Sequence, residues 1–355
     1  MEKRGYLTEK ELVELNALCQ ILPGPTSTQT IISIGYKIGG PPLAYLTLLV
    51  WMLPAFIVMT AAGITMSVFY KKGFSIEFTK FIQPMAVGFV LYAAYKIARS
   101  QVNTKTAFVI MLASAAITMF YNPPFIFPLL LLISGTVTTY KFNRQPRQEK
   151  GAVSIRWGNF LLWIGVFAAA AILGAMTKFL PIRIFENFYR NGSIVFGGGN
   201  TLVPLLYSEF VELKKYLSSE EFLAGYAFVQ AVPGPVFSFC AYVGALSMRS
   251  YGVGGEILGA FLASAGIFLP GTFLIFFLMR VWESLKKYRV IRASLEGITA
   301  CSVGLVIGAS YILFRPIDLS ILNISFVAGT FLLLLFTRIP PAVLILAGLG
   351  AGFIF

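Results

Sequence analysis

The sequence predicts an all-α polytopic membrane protein made of two homologous helical repeats with broken helices. Three observations carry that expectation. First, 57% of the 355 residues are hydrophobic and only 12% are charged, with a mean hydropathy of +0.79. Soluble domains run near 25% charged, so lipid is the indicated solvent. Second, the uncharged residues are clustered: eleven stretches without Asp, Glu, Lys or Arg hold 248 of the 355 residues. Most of these stretches approach the ~20 residues that cross a hydrocarbon core as a helix. Third, the chain repeats itself, and the repeat includes the positions that break helices.

The opening residues carry Glu2, Lys3, Arg4, Glu9, Lys10, Glu11 and Glu14, which is no signal-peptide pattern. Insertion is therefore expected to be driven by the spans themselves. Residues 7–25 then match residues 217–235 without a gap. The identities are Leu7/Leu217, Glu11/Glu221, Ala17/Ala227, Gln20/Gln230, Pro23/Pro233, Gly24/Gly234 and Pro25/Pro235. After a small slip the register continues with Gly39-Gly40 against Gly254-Gly255 and Leu53-Pro54 against Leu269-Pro270. Gly88, Tyr95 and Arg99 then face Gly304, Tyr311 and Arg315, and Pro123-Pro124 recurs as Pro340-Pro341. The expected organisation is a first repeat over 1–140, a basic linker over 141–156 and a second repeat over 157–355.

The linker holds Lys141, Arg144, Arg147, Lys150 and Arg156 against Glu149 alone, and the positive-inside rule assigns it to the cytoplasm. The loops at 71–80 and 286–292 are equivalent and both basic, so inversion of the repeats makes one of them break that rule. Two elements, a span at 157–177 and a glycine-rich segment at 191–204, precede the Leu217 match and have no counterpart before Leu7.

Composition also excludes chemistry. With no histidine in the chain, Ser-His-Asp triads, Cys-His nucleophile pairs and His-ligated zinc or haem are out of reach. Cys19, Cys240 and Cys301 are isolated thiols in apolar stretches, the pattern of inert small hydrophobes. No nucleotide-binding motif is present, no cofactor is expected, and nucleic acid is not an expected partner.

The two Pro-Gly-Pro runs are the sharpest local feature. Proline removes a donor and disfavours helix for the residue before it, while glycine accepts positive φ, so each run breaks its helix in mid-span. Broken backbone in a bilayer is tolerated where it is buried in protein or lines a wet cavity. Two breaks at corresponding positions in two halves point to a transporter site near the midplane. The candidate substrate-binding residues are thus Pro23, Gly24, Pro25, Ser27 and Thr28, with Pro233, Gly234, Pro235 and Ser238. The plain alternative is a pair of kinks that serve packing.

Gly197, Gly198, Gly199 and Asn200 form the second candidate, an anion cradle of bare N–H groups ahead of a helix N-terminus. A close helix crossing is the alternative. Gln20 and Gln230 stand three residues before the breaks and must bond either the freed backbone or a ligand. Lys37 and Arg249 follow the breaks by a dozen or so residues. Either they face an anion or they snorkel to the interface, as do Arg99 and Arg315. Glu209, beside the glycine-rich segment, is the acid singled out for proton coupling.

These residues resemble the chromate ion transporter family. Phe-Gly-Gly-Gly-Asn-x-Leu-x-Pro-Leu at 196–205, the Glu-Phe-x-Glu that begins at Glu209, Leu-Ser-x-Glu-Glu-Phe at 217–222 and Gln-Ala-x-Pro-Gly-Pro at 230–235 look like its second-domain signature. Leu-Cys-Gln-x-Leu-Pro-Gly-Pro at 18–25 is similar to its first-domain signature. The resemblance implies a two-domain transporter with antiparallel halves in the cytoplasmic membrane that exports chromate, against or alongside sulfate. It also implies a first domain that opens on a Phe-Gly-Gly-type span, which this sequence lacks before Leu7. The expected partners are the lipid bilayer, a small inorganic oxyanion and a second copy of the chain. The rival readings are a sulfate or other anion transporter or channel and, from another class, a membrane-embedded enzyme. Clustered acids or a nucleophile with a base would mark the enzyme, and neither is evident.

Overall fold

The computed structural model describes residues 11–12, 15, 18–19, 22–72, 79–121, 123, 126–140, 157–195, 199–285 and 289–354. Apart from short turns and connections the described residues are helical, and among them four helices, Thr26–Lys71, Gly158–Thr177, Arg249–Met279 and Ala293–Phe314, are long and apolar enough to cross a membrane.

The first helix, α1 (Thr26–Lys71), is two limbs joined by a corner. Gly39 and Gly40 leave the helical region, Gly40 at φ 68°, ψ −163°, and Pro41-Pro42 follow without N–H donors to continue the ladder. The limbs fold back on each other where Gly35 meets Ala44 and Thr47 at a distance that leaves no room for a side chain. Ahead of the first limb, residues 22–24 bend and Pro25 is extended. Lys37, at the far end of the first limb, bonds Glu11 at 2.5 Å, back at the start of the preceding segment. The chain therefore enters from one face near Glu11, turns at Pro23-Gly24-Pro25 and returns to the same face at Gly40. Each break is the tip of a re-entrant hairpin, not a kink in a spanning helix.

The second repeat builds the same object. The equivalent hairpin consists of α8 (Ser219–Ala231), a 3₁₀ turn Val236–Ser238, α9 (Phe239–Ser247) and a 3₁₀ turn Arg249–Tyr251. Helix α8 opens with a capping box in which Glu221 N bonds Ser218 Oγ and Ser218 N bonds Glu221 Oε2. Its 13 residues reach about 20 Å, short of the ~30 Å hydrocarbon core, so the tip stops inside the bilayer. Arg249 returns to pair with Glu221, as Lys37 does with Glu11. The chain then turns at Gly252, φ 71°, ψ −170°, into α10 (Gly252–Leu285). This corner has the geometry of Gly40. Sequence pairs Gly40 with Gly255, whereas the backbone pairs it with Gly252. The intervening residues are taken up as an extra helical turn before Pro270, which leaves Pro270 and Pro54 on matching helix faces.

Contacts fix the inversion. The second limb of α1, residues 41–71, rises about 46 Å, from the face of Gly40 to a far end where Lys71 Nζ bonds Arg249 O at 3.2 Å and Arg249 lies 4.7 Å from the Tyr70 ring. The bases of the two hairpins are thus on opposite faces, here called the first and the second.

The remaining helices complete the two copies. In the first they are α2 (Ile82–Gln101), α3 (Lys105–Phe120) and α4 (Ile126–Thr139), and in the second α11 (Arg289–Phe314), α12 (Ile321–Phe336) and α13 (Pro341–Ile354). Thr104 and Ser320 cap α3 and α12 at equivalent positions. The copies interlock: Gly88 of α2 seats on Val327 and Thr330 of α12, and Gly304 of α11 seats on Met111, Ser114 and Ala115 of α3. Between the copies, α5 (Gly158–Thr177) starts at the first face, where Trp157 lies 5.9 Å from Phe277, and crosses to the second. There α6 (Leu180–Ile194) re-enters, and α7 (Gly199–Leu206) with a π-helical segment Tyr207–Leu213 leads back out, its Tyr207 hydroxyl 2.9 Å from Ser219 at the start of α8. This is a third re-entrant hairpin, turning between Val195 and Gly199. Outward-facing Leu46, Leu49, Val50, Leu161, Leu162 and Ile172 present the lipid-compatible surface.

Inversion is checked by single cysteines in the equivalent loops that follow α2 and α11. Asn103→Cys and Asp318→Cys are exposed, and the native Cys19, Cys240 and Cys301 are buried. In sealed vesicles of one orientation, an impermeant maleimide should label the two positions from opposite sides. Labelling of both from one side would contradict the fold.

Candidate functional site

Three tips meet near mid-depth. Gly24, at φ 112°, donates its N–H to Val195 O at 2.7 Å, which ties the first tip to the start of the glycine-rich run. The same tip rests on Gly271, next to Pro270 of α10, with Gln29 Nε2 wedged between them. Gln29 is buried and donates to Pro23 O at 2.6 Å, replacing a bond that the break removed. The second tip is placed reciprocally. Gly234, at φ 146°, lies against Ala55, next to Pro54 of α1, where a Cβ would come within 2.7 Å of the Ala55 methyl. Ser238 donates to Pro235 O at 2.6 Å. Helix α7 packs against the Val236–Ser238 turn. Each tip therefore sits on the proline-bearing helix of the other repeat.

The tips are not equivalent in exposure. Pro23, Gly24 and Pro25 are buried, whereas Pro233 and Gly234 are exposed and Pro235 is buried. Thr28 is buried and accepts from Trp51 Nε1 at 3.2 Å, while Ser27 is exposed. Gln230 is half-buried on α8. Gly199 and Asn200 begin α7, and Gln20, Gly197 and Gly198 lie outside the described residues. Lys37 and Arg249 are at the hairpin bases, about 20 Å from the tips by helix rise, each on an acid of its own repeat. Gln29 escaped the sequence reading, which looked for amides before the breaks and not after them.

A polar cleft of about 620 Å³ opens at the second face between α5, α6 and the π-helical segment. Glu209 is its innermost group, 1% exposed. Its Oε1 accepts from Arg190 and from Lys214, the latter at 2.5 Å, and its Oε2 accepts from Asn191 Nδ2 at 2.8 Å. Lys178, Arg183 and Glu186 line the outer part. Burial pushes Lys214, past the end of the π-helical segment, below the usual lysine range, and the charge of Glu209 opposes that shift. A second buried acid, Glu256 on α10, accepts from Ser67 at 2.5 Å and faces Lys71 at 3.4 Å, joining the two repeats at the second face. Among the described residues no cluster of His, Cys, Asp and Glu is arranged to hold a metal ion.

The equivalent base pairs differ in worth. Glu221 is 1% exposed, so Glu221→Gln strands Arg249 and should lower stability by about 2–4 kcal/mol. Lys37 and Glu11 are 40% and 39% exposed, and Glu11→Gln should cost less than about 1 kcal/mol. Thermal unfolding of both variants checks this, and equal shifts would contradict it.

Comparison with known proteins agrees with this architecture. A family model described as chromate transporter matches residues 1–139 and 182–353. A chromate transport protein of Cupriavidus metallidurans is 26% identical over 89% of this chain and 75% of its own length. A probable chromate transport protein of Synechococcus elongatus is 28% identical over 100% of this chain and 88% of its own. An uncharacterized transporter of Methanocaldococcus jannaschii is 22% identical over 100% and 87%. No solved structure matches. With the family's model matching in two blocks, and those blocks carrying the two hairpins whose tips cross between the repeats, the chain belongs to the chromate transporter family.

Proposed function

We propose that the chain is a secondary transporter that exports chromate or a related tetrahedral oxyanion across the cytoplasmic membrane, with the anion passing between the three tips. The exposed backbone of Pro233 and Gly234 at mid-depth is the observation that carries this reading. Interrupted backbone at that depth belongs beside a wet path, and Gly234, which has no side chain, lets an oxyanion approach its N–H closely. The names of the relatives from Cupriavidus and Synechococcus supply the substrate class. Lys37 and Arg249 then act by holding the hairpin bases, and the tips recognise the anion through backbone donors and the Gly197–Asn200 run. The linker at 141–156 joins α4 to α5, which both end at the first face, so the positive-inside rule makes that face cytoplasmic. The polar cleft then opens outward. Energy comes from an ion gradient or the membrane potential.

Proteoliposomes test this. Chromate flux should depend on the protein, respond to an imposed gradient and saturate. Gly234→Ala, which meets Ala55 and strains φ 146°, should reduce the flux at least ten-fold while the protein remains folded. Flux of both chromate and sulfate equal to that of empty liposomes would refute the reading.

A further inference from the structure

We propose that the cleft at the second face is an oxyanion site separate from the tips, in which the Glu209 carboxylate holds the anion's place and yields it by taking up a proton. The inference rests on the transport reading for the identity of the ligand, and on the cleft itself for the site.

The donors around Glu209 exceed what one carboxylate uses. Arg190 and Lys214 both converge on a single oxygen, Oε1. Asn187, 4% exposed and lining the cleft, has an Nδ2 donor with no acceptor, while Arg190 Nε pairs with Glu186 Oε1 at 3.3 Å. A guanidinium, an ammonium and an amide N–H that face one polar cavity form a donor set for a tetrahedral oxyanion. Charge agrees: Lys178, Arg183, Arg190 and Lys214 line the cleft against Glu186 and Glu209, leaving a net excess of positive charge. Glu209 also lies in the π-helical segment Tyr207–Leu213, an irregularity that is common at functional sites.

The acid in this set fixes the mechanism. A dianion that reached Arg190 and Lys214 beside an ionised Glu209 would share a buried pocket with a like charge, which raises the affinity of the carboxylate for a proton. The charged and polar groups around Glu209 and its cleft are Arg183, Glu186, Asn187, Arg190 and Asn191 from α6, Lys214 from the following turn, and Lys178 at the end of α5. With the anion bound, Glu186 adds to the repulsion. The proton comes from solvent at the second face and forms one O–H bond on Glu209, while the carboxylate releases its two cations to the anion. No other bond changes, and one proton enters with each anion.

Binding of chromate and, as a second arm, sulfate to the purified full-length chain reads this directly. One proton taken up per anion makes Kd rise ten-fold per pH unit over the range where Glu209 is ionised in the free protein. Glu209→Gln should abolish that slope and bind more tightly than wild type at the alkaline end, because Arg190 and Lys214 are then free. Anion-induced infrared difference spectra of the wild type should gain a protonated-carboxyl stretch, a readout that requires no variant. A slope that survives in Glu209→Gln, or a wild-type spectrum without that stretch, overturns the inference. A flat wild-type slope alongside protein-dependent flux defeats the cleft and spares the transport reading. Proton-linked binding without flux defeats transport and spares the cleft.

Discussion

A reversed backbone in the middle of a bilayer must have its freed N–H and C=O groups satisfied, because no bulk water is there to do it. At the first tip the partners are Val195 O for Gly24 N–H and Gln29 Nε2 for Pro23 O. At the second, Ser238 supplies a hydroxyl to Pro235 O. The close seats of these tips, Gly271 for one and Ala55 for the other, belong to the opposite repeat. Neither hairpin is therefore complete within its own copy, and the interlocking of α2 with α12 and α11 with α3 extends the same exchange to the outer helices.

Pseudo-symmetry of this kind leaves room for inequality, and the inequality is where function enters. One tip is buried and the other exposed, one base pair is half in solvent and the other sealed, and a charged cleft lies at the second face. Alternating access between two halves of inverted topology uses such a pair of non-equivalent arrangements around a fixed central site. Glu256, held by Ser67 and facing Lys71, ties the repeats together at the second face.

Much of this was legible in the sequence. The repeat, the two Pro-Gly-Pro breaks and the membrane class followed from spacing and composition, because proline and glycine act locally on the backbone. What the breaks do was not legible. A kink and a reversal share one local signature, and the difference lies in Lys37 reaching Glu11 and Arg249 reaching Glu221 across 26 and 28 residues. For the same reason the two cations, read as facing an anion or snorkelling, could not be assigned to their acids. Gln29 was overlooked because an amide in an apolar helix gives no hint of which carbonyl it serves. The sequence match of Gly40 to Gly255 missed the corner at Gly252 because only the φ of the glycine marks it.

The claim on which the rest stands is that each hairpin is carried by the other repeat. Gly63, on the second limb of α1, lies against Ala245 on α9, where a Cβ on Gly63 would be 3.0 Å from the Ala245 methyl. In a background without the three native cysteines, the pair Gly63→Cys and Ala245→Cys is close enough to bridge on oxidation with slight relaxation. The account predicts a disulfide within a single chain, formed in the membrane and reversed by reductant. No bond, or a bond that forms only between two chains, would contradict it.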